Sequence, residues 1–131
     1  EDGFMPLVNA ALGGHARRLP GELARLRTLA LNPVGVALAF ERRAAQLAQL
    51  SARMRPGEDL GSFIDAQKRA RRIFFKDERD ISQQLGIWRG RRLDRLVSRL
   101  TALHQALLAN SQQAELLLSQ EIAWIAREAA R

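Results

Sequence analysis

Apolar residues recur at spacings of three and four between glycine and proline breaks, and this pattern leaves the chain little choice of fold. The clearest run is Leu93, Leu96, Val97, Leu100, Leu103 and Leu107 within "RRLDRLVSRLTALHQALLA". That spacing places all six on one side of a helix and none of them on one face of a strand. No segment alternates apolar and polar residues long enough to read as a strand, tyrosine is absent, and Ala, Leu, Arg, Gln and Glu dominate. The fold class expected is all-α, a compact bundle of about six to seven helices.

The punctuation divides the chain into seven helical segments. The first covers Phe4 to Leu12 and ends at Gly13-Gly14. The second runs from about Ala16 to Ala30, with Leu19, Leu23, Leu26 and Ala30 on one stripe; Pro20 fits only a first turn and pulls the start toward Leu19. Asn32-Pro33 is a cap followed by proline at the first helical position, opening a third helix to Arg53. Pro56-Gly57 separates this from a fourth helix, Leu60 to Ile73. A fifth spans Asp77 to Trp88, a sixth Arg91 to Ala109, and a seventh Ser111 to Ala130, with Asn110 as its cap and Gln113 reaching back.

At 131 residues, 47% of them hydrophobic, the chain has material for one domain with a real core. It begins at Glu1 rather than Met and reads as a piece of a longer protein. The lack of cysteine excludes disulfides and thiolate metal sites and suggests a reducing compartment. No apolar run approaches the roughly 20 residues that span a bilayer, so no membrane association is expected. Net charge is +7, nearly all of it arginine, which favours nucleic-acid or acidic-protein partners over basic ones.

Candidate chemistry is sparse. His15 lies in a glycine turn and His104 within a helix, neither with a ligand at helical spacing, and both read as boundary or surface histidines. Asp77, Glu78 and Asp80 could pair for acid–base work or Mg²⁺, but negative charge in a first helical turn already favours the helix dipole. The glycines of "LGG" and "LGIWRG" lack the spacing of a phosphate-cradling loop, and no cofactor is expected. Arg91, Arg92, Arg95 and Arg99 form a basic run, three of them on one face at i, i+3 and i+7. They read as a phosphate-tracking surface or as a solvated helix face. Phe74, Phe75 and Trp88 read as a ligand cage or as anchors of a helix junction, with Phe75 and Trp88 clamping the fifth helix.

The stretch "RRIFFKDERDISQQLGIWRGRRLDRLVSRLTALHQALL" resembles the C-terminal region of the delta subunit of bacterial DNA polymerase III, part of the clamp loader. The matching positions are Phe74, Phe75, Lys76, Gln84, Leu85, Trp88, Leu93, Leu96 and Leu100. Upstream, "LVNAALGGHARRLPGELARLRTLALNPVGV" is similar at Leu7, Val8, Ala10, Ala11, Gly14, Leu23, Leu26, Pro33 and Val36. The chain departs from the family at "HQALLANSQQ", where relatives carry an acid and a lysine, and at His15, where an aspartate or asparagine is common.

The resemblance implies a non-catalytic helical collar module whose AAA+-like N-terminal domains lie outside this sequence. Its partners would be the tau/gamma and delta-prime subunits through the collar, and the sliding clamp through the N-terminal part. DNA would be reached indirectly, and the setting would be the bacterial cytoplasm. On this reading Phe40, Trp124 and Ile125, which sit off the tidiest core stripe, are expected at the subunit interface. The other reading is an independent basic domain that binds nucleic acid through the Arg91–Arg99 face.

Overall fold

The structure, a computed structural model, describes residues 2–131. A 3₁₀ turn leads into α1 (Met5–Leu12), followed by α2 (Leu19–Thr28), α3 (Pro33–Arg53) and α4 (Leu60–Arg69). A second 3₁₀ turn, Phe75–Asp77, precedes α5 (Glu78–Ile87); then come α6 (Arg91–Ala109), a 3₁₀ turn at Ser111–Gln113, and α7 (Ala114–Ala129). No strand occurs among the described residues. The chain is therefore the all-α bundle that the spacing predicts.

The helix starts follow the sequence closely. Asn32 Oδ1 accepts from the Val34 amide at 2.9 Å, with Pro33 just behind it, and Asp59 Oδ2 accepts from Ser62 at 2.9 Å. Gly90 stands at φ 55°, ψ −127°, backbone space essentially reserved for glycine, and turns the chain from α5 into α6.

The helix ends follow it less closely. Three helices close with a left-handed residue and a six-to-one hydrogen bond. Gly14 does this for α1, with His15 N donating to Ala10 O. Ala30 does it for α2 and Arg71 for α4, at φ 50° and 60°. The Arg71 closure stops α4 at Arg69, short of the expected Ile73. Residues 16–18 form a turn, so α2 starts at Leu19. Asn110 is a correction: its Nδ2 donates back to Ala106 O at 3.0 Å, so it closes α6 and does not cap α7, and Gln113 meets it only through its own backbone amide.

Four helices make the frame. α3 and α6 run antiparallel, joined where His104 Nδ1 lies 2.7 Å from Glu41 Oε1. α7 returns along α6, and α1 packs on α7, its Gly14 so close that a Cβ there would meet Ala130 N at 3.1 Å. α5 lies against α3 and α1, and Trp88 at its end donates Nε1 to Leu12 O at 2.9 Å. Trp88, Phe40, Leu47, Leu85, Leu96, Leu118 and Ile122 fill the interior.

Two expected interface residues belong to this interior. Phe40 is 0% exposed and Ile125 1%. Phe40 continues the Val36, Ala37, Ala44, Leu47 face of α3, and Ile125 continues the Leu118, Ile122, Ala129 face of α7, so both point at the frame's own centre. Val97, expected inside, is 38% exposed, because the buried α6 residues step Leu93, Leu96, Leu100, Leu103, Leu107 and leave it beside the seam.

Candidate functional site

Among the described residues no three His, Cys, Asp or Glu side chains converge as metal ligands. His15 Nε2 sits 3.0 Å from Gln83 Oε1, tying the α1–α2 turn to α5. In the acidic cluster, Glu78 pairs with Lys68 at 2.8 Å, and Asp77 makes no side-chain capping bond. Asp77 and Asp80 instead face the Arg43 guanidinium, whose charged form they favour.

Among the described residues Arg43 is the one strongly buried cation, 4% exposed. Its Nη1 donates to Asn9 Oδ1 at 2.7 Å and to Gln84 Oε1 at 2.9 Å, and Gln84 Nε2 donates to Asn9 Oδ1 at 2.9 Å. This triad joins α1, α3 and α5. Burial pulls the guanidinium below its ordinary pKa, opposed by Asp77 and Asp80. Gln84, among the positions of the clamp-loader resemblance, is thereby a buried polar tie rather than a surface contact.

The basic run on α6 divides in two. Arg99 makes a bidentate pair with Glu121, at 2.6 and 3.0 Å, and its Cζ lies 3.9 Å from the centre of the Trp124 ring. Arg92 donates to the Glu128 carbonyl and its Cζ lies 5.5 Å from the Trp88 ring centre, while Trp88 and Trp124 pack at 6.5 Å. These side chains form a ladder between α6 and α7. Trp124 is half-buried within it, with Arg99 laid across its ring. Arg91 and Arg95 remain exposed.

The feature that stands out is the pair Phe74 and Phe75. They are 58% and 66% exposed and contact each other edge to face, ring centres 5.0 Å apart and planes at 61°. Single exposed hydrophobes are ordinary; two large adjacent rings are a patch. The junction-anchor reading is thus corrected: of the three aromatics, only Trp88 is buried and anchors α5. The cause is local. Arg71 closes α4, Ile73 turns inward at 4% exposed, and Phe74 adopts an extended conformation that carries both rings outward into the 3₁₀ turn.

Beside the pair lies an open cleft of about 530 Å³, lined by Lys68, Arg69, Arg71, Arg72, Ile73, Phe74 and Phe75. Behind Phe74 is a smaller one of about 260 Å³, walled by Met5, Ala39, Arg42, Arg43, Gln46 and Asp77. Lys76 Nζ stands 6.0 Å from the Phe75 ring. The sequence signal was an "IFF" triplet fenced by "KRARR" and "KDER": one apolar residue can turn inward there, but charges on both sides leave little cover for three.

Comparison with protein-family models, with curated proteins and with solved structures gives no match.

Proposed function

We propose that this chain is a non-catalytic assembly domain, the collar of a clamp-loader delta subunit acting in DNA replication in the bacterial cytoplasm. The observation that carries the reading is the exposed Phe74–Phe75 pair. It falls inside the "FFK" stretch of the family resemblance and presents bulky apolar surface on a bundle whose other aromatics are at least half covered. Interfaces concentrate binding in a few buried aromatic and arginine side chains, and this edge supplies both. His104, Arg43 and Arg99 find their polar partners within the chain, which suits a scaffold better than a reaction centre. Delta-prime and the tau/gamma subunits would be its partners, and parts of the parent protein outside this sequence would meet the sliding clamp.

Mixing the domain with tau/gamma and delta-prime collar domains and resolving the mixture by size tests this. A complex that persists at roughly 1 M salt, where screening acts within about 3 Å, is expected of apolar contact. Separate elution of every component would end the reading. Nucleic-acid binding through Arg91, Arg92, Arg95 and Arg99 would instead weaken steeply as salt rises. Because Arg92 and Arg99 are engaged with α7, that alternative rests on Arg91 and Arg95.

A further inference from the structure

We propose that the cleft beside Phe74 and Phe75 is a docking groove for an acidic segment of a partner protein, one that carries an apolar side chain among its carboxylates. The proposal rests on the assembly reading and adds the chemistry of the partner.

The rim is cationic and in part unengaged. Lys68 is committed to Glu78, and Arg72 Nη1 donates to Gln67 Oε1 at 3.3 Å. Arg69 and Arg71 have no ion-pair partner among the described residues. Both are exposed at the mouth of the cleft, and a guanidinium grips a carboxylate in two-point fashion.

Backbone strain marks the same place. Arg71 sits at φ +60°, a position that glycine fills without penalty. The same conformation closes α4, as at Ala30 and Gly14, and it leaves the exposed Arg71 side chain among the residues that line the cleft.

The floor selects a polypeptide over other anions. Ile73, Phe74 and Phe75 give it an apolar base, and about 530 Å³ is room for one or two side chains. The two rings cross at 61°, so they offer an angular notch rather than the parallel shelf on which successive bases stack. A segment of carboxylates around one leucine or phenylalanine satisfies the rim and the notch together.

The test is fluorescence polarisation with the full 131-residue chain. The probe is a fluorescein-labelled peptide of Asp and Glu around a central Leu-Phe step. The controls are the same peptide with Ser-Ser at the centre and a labelled oligothymidylate. The Leu-Phe peptide should bind best, and amide shifts in a nitrogen-15 spectrum should cluster at residues 68–76. Phe74→Ser with Phe75→Ser should weaken it about thirtyfold, and Arg69→Ser with Arg71→Gly about tenfold. Should the aromatic variant lose its fold by circular dichroism, the arginine variant and the shift map decide. Failure of the peptide to bind, equal binding by the variants, or tighter binding of oligothymidylate with the same losses would overturn the proposal. Peptide binding lost while collar assembly persists removes the groove alone; peptide binding without collar assembly removes the collar reading alone.

Discussion

Arg71 and Ala30 occupy the same left-handed position at the ends of α4 and α2, where Gly14 serves α1. A Cβ there costs about 1–2 kcal/mol, and glycine returns about 0.5–1 kcal/mol of that through its greater freedom when unfolded. Ala30→Gly and Arg71→Gly should therefore each raise stability by about 0.5–1 kcal/mol, read from urea midpoints. Gly90→Ala should lower it by about 1–3 kcal/mol. The glycine turns were legible because glycine announces them. Arg71 gave no such signal, and the end of α4 was misplaced as a result. Arg43 was equally silent: it is one arginine among many, distinguished only by where α1 and α5 bring Asn9 and Gln84. Its two deletions should differ. Arg43→Met leaves the Asn9–Gln84 bond in place but strips Gln84 Oε1 of its donor, and should cost about 1–2 kcal/mol, relief of the buried charge offsetting part of the loss. Gln84→Leu keeps the buried charge but removes an acceptor, and should cost about 2–3 kcal/mol in the same urea titration.

At the scale of elements, α3 and α6 were readable to the residue because each has a strong start, a long stripe and an abrupt end. The role of the α6 arginines was not, since their partners come 22 and 36 residues later, on α7. Counting charges on one helix cannot show an acid on the next. The α6–α7 ladder yields two expectations. In a double-mutant cycle, Arg99→Ala and Glu121→Ala should couple by about 0.5–1 kcal/mol, the range for a partly exposed pair with an arginine on an indole. Glu128 is held below the ordinary carboxylate pKa, first by its hydrogen bond from Arg131 and also by the charges of Arg131, Arg92 and Arg95, against the effect of burial. A carboxylate depressed on folding stabilises the fold above its unfolded pKa, and that contribution disappears as pH falls through the folded value. Acid should thus loosen the α6–α7 contact below the normal glutamate range. Arg131→Ala should move the acid midpoint of unfolding, followed by circular dichroism, upward in pH.

For the whole molecule, the apolar surface is distributed on more than one edge. Phe74 and Phe75 lie where α4 hands over to α5, on the side that α5 makes with α1 and α3. Leu108 and Leu116, 66% and 57% exposed, flank the α6–α7 connection. A subunit in a ring of unlike members meets two neighbours through two different surfaces, unlike a two-fold dimer, which uses one surface twice. Under the collar proposal the two patches divide that work. Phe74→Ser with Phe75→Ser should abolish pairing with one neighbouring collar domain and spare the other, and Leu108→Ser with Leu116→Ser should do the reverse. Pairwise size-exclusion runs against each purified neighbour read this directly. Loss of the same neighbour in both variants would mean one continuous interface, and loss of neither would remove the apolar edges from assembly. The groove adds a condition that geometry alone does not: of the two contacts, only the one made by the phenylalanine edge should also weaken when Arg69 and Arg71 are replaced.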